Sequence, residues 1–216
     1  MSTSRPKGLS SRQPPLQARS QETRLRILDS ARKAFAECGF AAANVREIAQ
    51  NAGTTHAMIR YHFGTKDELW REAVRGMFEA FQQILTETRQ RADDEQLDLR
   101  ERYRRMTRAY TRYCAEHPEH ARITIMESIS GSERFEWMVN EFVKTDHASA
   151  KDAFEELVLN KILPPIPFAT YLYAYVGMAQ LPFVLAKEAK VALDYDFLTD
   201  EAIDRHADAM FQIWTR

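Results

Sequence analysis

Glycine and cysteine are both scarce in this sequence, and each scarcity excludes a class of structure. Seven glycines among 216 residues are about 3%, against roughly 7% in an average protein. Because β-rich folds need frequent turn residues, this composition predicts an all-α fold. The two cysteines, Cys38 and Cys114, are too few for a disulfide framework or a closed cysteine-rich zinc site.

Long apolar segments are also missing, with one exception. Residues 1–20 are rich in Ser, Pro and Arg and contain no apolar run that would serve as the core of a secretion signal, so we expect a cytoplasmic protein. Residues 162–186 carry no charge and reach the length of a membrane span. They contain four prolines, a glutamine and three tyrosines, which a helix buried between protein surfaces explains better. We therefore expect no membrane contact.

Charge is nearly balanced overall but not along the chain. The sequence has 30 Lys and Arg against 31 Asp and Glu. Residues 1–66 hold eleven basic and four acidic residues, a net charge of +7, and the remainder holds 19 and 27, a net charge of −8. This asymmetry indicates a nucleic-acid-binding end attached to an acidic body.

Residues 1–20 are predicted to be a flexible basic arm. They contain three prolines, no helical periodicity and no acidic residue, a composition that disfavours a packed structure. Their basic residues are Arg5, Lys7, Arg12 and Arg19. Ser20 is the predicted N-cap of the first helix, since its hydroxyl can accept a hydrogen bond from a first-turn amide.

Capping residues and glycines divide the next segment into short helices. A glycine, the residue that favours a left-handed backbone, directly follows each of three predicted helices. A polar cap precedes the second, third and fourth helix, and two of these caps are followed three residues later by Glu, the pattern of a capping box. The glycines are Gly39, Gly53 and Gly64, and the caps are Asn44 with Glu47, Thr55, and Thr65 with Glu68.

The second and third of these helices form a helix-turn-helix pattern. The later helix has an apolar back made of Met58, Ile59 and Phe63. Its front is polar and uncharged or basic, as required of a helix that enters the major groove of DNA. The front residues are Thr54, Thr55, His56, Arg60, Tyr61 and His62. Lys66, at the start of the fourth helix, is a predicted phosphate contact.

These residues resemble the N-terminal DNA-binding domain of TetR-family transcriptional regulators. The resemblance extends over residues 24–69 and is specific, since spacing and identity agree over some thirty consecutive positions. The matching positions are Gly39-Phe40, Ile48-Ala49, Ala52-Gly53, Tyr61-His62-Phe63, Lys66-Asp67 and Leu69. It implies an all-α protein with a three-helix DNA-binding domain at residues 21–66 and a larger helical domain at 67–216 for dimerisation and effector binding.

The same resemblance implies a function and a set of contacts. Members typically bind palindromic operators as homodimers, repress nearby genes and are released by a small-molecule effector. The residues that correspond to DNA contacts are Thr54, Thr55, His56, Ala57, Arg60, Tyr61, His62 and Lys66. Independently of the resemblance, the charge of the basic arm makes Arg19 a candidate for a minor-groove or backbone contact. Ala57 replaces a frequent glycine and Arg60 a frequent tyrosine, so the operator sequence cannot be transferred from a relative.

The body is predicted to be helical throughout, with less sharply marked ends. The helices are expected at 65–87, 97–117, 119–130, 132–163, 168–190 and 199–215, with a loop at 89–96 and a break near His147. By the resemblance, the last two helices form the dimer surface, with Tyr171, Tyr175, Met178, Phe183, Met210, Phe211 and Trp214. The candidate effector pocket is rich in aromatic and Met residues: Tyr103, Met106, Tyr110, Met126, Trp137, Met138 and Phe142.

Other functions have weaker support in the sequence. Cys114, His117 and His120 follow at three-residue spacing, but Pro118 interrupts their helix and no fourth ligand is evident, so no metal is expected. There is no Gly-rich phosphate loop, nucleophile elbow or zinc-protease histidine pair, and no cofactor or enzymatic activity is predicted. A helical enzyme and a DNA-independent helical interaction protein remain the alternatives.

Overall fold

A computed structural model describes residues 16–215, which form α-helices, one short π-helical segment and no strand. The predicted all-α fold is confirmed. The helices are α1 Leu16–Ala42, α2 Val45–Asn51, α3 His56–Phe63, α4 Lys66–Asp94, α5 Leu99–Glu116, α6 Pro118–Ser130, α7 Glu133–Met138, α8 Lys144–Leu159, α9 Phe168–Val184, α10 Ala186–Leu193 and α11 Asp200–Trp214, with the π-helical segment at Val139–Val143.

The first helix begins earlier than predicted. The flexible arm predicted over 1–20 lies outside the described residues as far as residue 15, but from Leu16 onward the chain is already α1. Ser20 is therefore inside the helix and is not its N-cap. Residues 16–19 are Leu, Gln, Ala and Arg, all good helix formers, which explains why the helix extends past the predicted cap.

The short helices α2 and α3 end where the glycines predict. Gly53 and Gly64 have φ angles of 64° and 73°, a conformation that a side chain would strain. Asn44 caps α2 by accepting a hydrogen bond from the amide of Arg46. The capping box predicted there is wrong, because Glu47 accepts from the Asn44 side chain at 3.3 Å rather than from its backbone.

One hydrophobic core joins the two predicted domains. It contains α1 residues such as Ile27 and Phe35, the α4 residue Trp70, and Ile123 and Met138 from α6 and α7. Trp70 and Met138 are fully buried. The packing therefore continues across the boundary that the sequence places between residues 66 and 67.

One helix of the body runs longer than predicted, and a second predicted helix is interrupted at a different place. The helix α4 continues to Asp94, through most of the predicted loop at 89–96, and ion pairs and hydrogen bonds at i,i+4 spacing support its last turns, such as Arg91 with Glu87 and Gln90 with Asp94. No break occurs near His147, which lies inside α8. The irregularity is instead the π-helical turn Val139–Val143.

The predicted helix over 168–190 is two helices. The axes of α9 and α10 are bent by 73° at Leu185. Pro182 lies in the last turn of α9 and has no N–H for the carbonyl of Met178, and His206 on α11 donates to that carbonyl at 2.8 Å. Within residues 16–215 no single helix meets the length and apolarity of a membrane span, and this bent pair meets them only when taken together.

Candidate nucleic-acid interface

The candidate reading helix α3 is fixed at both ends by backbone and cap contacts. The amide of Thr54 donates to the carbonyl of Ala49 at 2.9 Å, which closes the turn after α2. Thr55 is the N-cap of α3, and its hydroxyl accepts from the amide of Met58. At the other end, the amide of Gly64 donates to the carbonyl of Arg60 at 2.9 Å. The first of these bonds ties the start of α3 to α2, and the other two define the ends of α3.

The two sides of α3 differ as the sequence predicts. Ile59 and Phe63 are buried in the shared core and Met58 is half-buried. His56, Ala57, Arg60 and Tyr61 are exposed, and the Tyr61 side chain, at 78% exposed, is the most prominent apolar ring of this surface. Four of the predicted DNA contacts are thus brought to one accessible face.

The remaining residues predicted from α3 and its turn are less accessible. Thr54 and His62 are half-buried, and Thr55 is exposed but uses its hydroxyl oxygen as the cap. The Nε2 atom of His62 is buried and has no hydrogen-bond partner among residues 16–215. The His62 ring lies edge-on to Tyr61, with centroids 5.1 Å apart. These contacts give His62 a packing role beside the exposed face.

Lys66 is held at the first turn of α4. The Thr65 cap accepts from the amide of Glu68, and the Glu68 carboxylate accepts from the amide of Thr65, so the predicted capping box is present. The Lys66 ammonium donates to the carbonyl of Ala41 at 3.3 Å and lies 4.8 Å from the centre of the Phe40 ring. Partial desolvation lowers the pKa of Lys66 below its ordinary value.

Sequence reasoning missed Arg46, an exposed basic residue in the first turn of α2. In helix-turn-helix proteins the first helix of the motif crosses the DNA backbone, so Arg46 is a further candidate phosphate contact. A signal was available, since a cation in a first helical turn opposes the helix dipole. Arg19, the arm residue within the described part, lies half-buried in α1.

The residues predicted to form an effector pocket are divided among the hydrophobic clusters of the protein. Met138, Trp137 and Phe142 pack in or against the core that the body shares with α1, α2 and α3. Tyr103 belongs to a second cluster with Tyr171, and Tyr110 packs against a third. Met106 is half-buried and Met126 is exposed. An apolar and Met-rich composition does not distinguish a pocket from a filled core, which is why the sequence grouped them.

Three of the seven residues predicted at the dimer surface are buried in the chain's own body. Tyr171, Phe183 and Met210 are buried there, so they are not available to a partner. The others are half-buried: Tyr175, Met178, Phe211 and Trp214. Because α9 is apolar on all sides, its sequence does not reveal which side faces inward.

The Cys114, His117 and His120 group is held by contacts within the protein. His120 Nδ1 hydrogen-bonds the Tyr113 hydroxyl at 2.8 Å, and His117 Nδ1 lies 3.2 Å from a Glu119 carboxylate oxygen. Burial raises the pKa of the Cys114 thiol to about 12. In the described part of the chain, no three His, Cys, Asp or Glu side chains are grouped to hold a metal ion.

Comparisons with known proteins agree with this geometry. The profile of the family described as bacterial regulatory proteins, tetR family, matches residues 27–73. The HTH-type transcriptional repressor NicS of Pseudomonas putida is 28% identical over 110 residues, which are 51% of this chain and 50% of the relative. The alignment thus spans about half the length of this curated relative.

Two solved structures share the fold along most of the chain. The fatty acid degradation regulator FadR from Bacillus halodurans has a TM-score of 0.65 at 17% identity and covers 88% of this chain and 93% of its own. A TetR family transcription regulator from Marinobacter aquaeolei VT8 has a TM-score of 0.64 at 19% identity and covers 93% of this chain and 99% of its own. At these identities the likeness concerns the fold alone.

Proposed function

Because the chain belongs to the TetR family of bacterial regulatory proteins, we propose that it is a sequence-specific DNA-binding transcriptional regulator. The main support for this proposal is the exposed face of α3. His56, Arg60 and Tyr61 lie on this face, and the opposite face of the helix is apolar and buried. A helix of this shape fits the major groove, and no residue of α3 is acidic, so nothing on it repels the phosphates. Arg60 is the residue best suited to a guanine edge.

Phosphate contacts surround this face. Lys66 follows α3 at the first turn of α4, and Arg46 lies in the first turn of α2. An ammonium has three donor hydrogens, and Lys66 uses one on the Ala41 carbonyl, which leaves two for a phosphate oxygen. We assign Lys66 and Arg46 to positioning on the DNA backbone, and Arg60, His56 and Tyr61 to the groove and its edge.

We also propose that the regulator works as a homodimer. A single helix of eight residues reads few base pairs, and a two-fold pair doubles the site and predicts a palindrome. Two large apolar residues of α9, eight positions apart, are exposed, Tyr173 at 70% and Leu181 at 46%, and we call the side of the helix between them the exposed strip. The helix α11 exposes Ile213 at 66%. This strip, rather than the buried Tyr171 and Phe183, is the surface that a second copy would cover.

The dimer surface has a direct test. Leu181→Glu places a charge at the C-terminal end of the exposed strip, and we expect monomers by sedimentation velocity at concentrations where the unchanged protein is dimeric. Leu193→Glu is a matched control on α10, where the replaced side chain is also exposed. Monomers from both variants, or from neither, would contradict the assignment to α9.

Repression and its release by a small molecule are the remaining part of the proposal. The core that α1 and α4 share with α6 and α7 gives the body a packed connection to the reading helices. A ligand that binds one packing of the body more tightly would shift the population of the DNA-binding arrangement. The effector itself is proposed only as a small molecule.

The decisive experiment is selection of duplexes from a random DNA library by the full chain, followed by fluorescence anisotropy. We expect an enriched palindromic sequence whose affinity exceeds that of a scrambled duplex and falls steeply with salt. Binding to all duplexes alike, or no salt-sensitive complex, would overturn the regulator proposal. A helical enzyme or a DNA-independent interaction protein would then be the better description.

A further inference from the structure

The ring of Phe40 is contacted by two cations that come from different regions of the protein. Phe40 follows Gly39 at the end of α1, where the backbone has a φ of 74°. The Arg134 guanidinium carbon, from α7, lies 3.7 Å from the ring centre, and the Lys66 ammonium, from the start of α4, lies 4.8 Å from it. One ring therefore joins the body to the proposed phosphate contact.

Arg134 forms an ion pair, without a hydrogen bond from its Nε, with a buried carboxylate on the body side. Glu127 is only 4% exposed, and its Oε1 lies 3.5 Å from Arg134 Nε. The hydroxyl of Ser132 donates to Glu127 Oε2 at 2.6 Å, which holds the carboxylate at the corner between α6 and α7. The guanidinium also lies 5.7 Å from the Trp70 ring centre. The position of the Arg134 guanidinium therefore depends on the packing of the corner between α6 and α7.

Lys66 is held in place by Phe40 and by the residue that follows it. The carbonyl of Ala41, the residue after Phe40, accepts from the Lys66 ammonium. A shift of Phe40 would therefore carry along both the ring and the carbonyl that position this ammonium. The positive charge of Arg134 contributes, after desolvation, to lowering the pKa of Lys66, so the two cations interact electrostatically as well as through the ring.

We propose that Arg134 is a positioning residue that couples the packing of the α6–α7 corner to the DNA-phosphate contact of Lys66 through Phe40. The inference rests on the proposed function, because it takes phosphate as the ligand of Lys66. A rearrangement of the corner that withdraws Arg134 from the ring leaves Phe40 and the Ala41 carbonyl without this support. Lys66 then loses its fixed position, and DNA binding weakens without any change in the reading helix.

The test compares Arg134→Gln with Phe40→Leu on the duplex obtained by selection. A cation on an aromatic ring contributes modestly, so we expect each variant to bind about threefold to thirtyfold more weakly. The slope of log affinity against log salt should fall by about one for each half-site, as for a lost phosphate contact. The double variant should bind no more weakly than the weaker single one, because both remove the same coupling.

Two further variants distinguish a loss of the Arg134–Phe40 contact from a general effect of removing a positive charge or of damaging the fold. Arg75→Gln removes the same charge from an α4 arginine that lies 5.8 Å from the ring centre of Trp137 and does not contact Phe40, and we expect less than a twofold change. Arg134→Lys keeps a cation over the ring and should restore most of the affinity. Equal effects of Arg134→Gln and Arg75→Gln, additive losses, or an unchanged salt slope would overturn the proposal.

A measurement without DNA distinguishes failure of this inference from failure of the regulator proposal. Side-chain NMR of Lys66 follows its titration in the unchanged protein and in Arg134→Gln. Removal of the nearby positive charge should move the Lys66 signals and raise the pKa of Lys66 toward its ordinary value. Identical signals and titration in the two proteins would overturn the coupling, whatever the outcome of the DNA selection.

Discussion

The proposed DNA-binding unit, residues 16–66, and the body, residues 67–215, are both helical but are ordered by different interactions. In the first, α2 and α3 have seven and eight residues, and caps and glycines fix their ends. In the body, long-range side-chain pairs connect helices far apart in sequence, such as the two hydrogen bonds from Arg108 to Asp208. Short helices can be positioned by local signals, whereas long helices are positioned by what they pack against.

The charge boundary and the packing boundary of the molecule also differ. Net charge changes sign near Lys66, but the core that contains Phe35 continues to Ile123 and Met138. The acidic body and the basic unit therefore carry opposite net charges but share one packed core. A regulator needs both properties, because the unit alone must approach DNA while the body must influence it.

The largest expected effect tests this continuity. Trp70→Ala removes a fully buried ring that packs against Trp137, with centroids 5.8 Å apart, and we expect it to lower the free energy of unfolding by about 3–5 kcal/mol. Denaturant unfolding followed by circular dichroism should remain a single transition, because both regions share this core. Separate unfolding transitions for the two regions would show that the shared core does not couple their stabilities.

The second prediction concerns the exposed face of the DNA-binding unit. Arg60→Ala is expected to weaken binding to the selected duplex by about 1–3 kcal/mol and to relax the preference at one base position. Anisotropy on duplexes substituted at each position measures both effects, and unfolding should change by less than about 0.5 kcal/mol because the side chain is exposed. A uniform loss across all duplexes would make Arg60 a phosphate contact instead.

The third prediction belongs to the body alone. His120 is buried against Phe78 and the Tyr113 hydroxyl, and burial lowers its pKa from 6.5 to about 4. Between these values the unfolded chain binds a proton that the folded chain does not, so stability is lost as the pH falls. We expect the free energy of unfolding to decrease by about 2 kcal/mol between pH 7 and pH 5 from this group.

A variant isolates the contribution of His120 from that of other groups. Burial raises the pKa of Asp146 to about 6, which has the opposite sign, because that carboxyl adds stability at low pH and loses it as the pH rises. The measured quantity is thus the difference in pH dependence between the unchanged protein and His120→Gln. Equal pH dependence in the two proteins would exclude a neutral buried His120.

The same contrast explains how far the sequence could predict the structure. Thr55 and Thr65, with the glycines at 53 and 64, gave the ends of α3 and the start of α4, because each signal acts within three or four residues. The inward side of α9 and its end at Val184 could not be predicted in this way. They depend on contacts such as the one from His206 to the Met178 carbonyl, which join residues 28 positions apart.

The candidate site shows the same division. The exposed positions of α3 follow from helical periodicity, so His56, Arg60 and Tyr61 were predictable. Arg134 was not, because its contact with Phe40 joins residues of different helices and has no pattern in the sequence. The effector pocket could not be located for a related reason, since Tyr103, Tyr110 and Met138 are alike in being large and apolar but pack in or against three different hydrophobic clusters.

The smallest expected effect compares one substitution in the two regions. Thr65 caps α4 and Thr199 caps α11, and each hydroxyl accepts from the amide three residues later, at 3.1 and 3.2 Å. Thr65→Ala and Thr199→Ala should each lower the free energy of unfolding by about 1 kcal/mol. Only Thr65→Ala should also weaken DNA binding, because Lys66 is the first residue of the helix that this cap begins.

Thr65→Ser retains a hydroxyl that can cap and should restore both properties. Denaturant unfolding and anisotropy at matched salt give the two values for each variant. If Thr199→Ala weakened DNA binding as much as Thr65→Ala, the loss of affinity would follow from the loss of stability alone. The Thr65 cap would then have no specific effect on the DNA contact of Lys66. We expect Thr65→Ala and Thr199→Ala to lose the same free energy of unfolding but different DNA affinities. This result would show that the Thr65 cap acts locally on DNA binding, although both regions share one core.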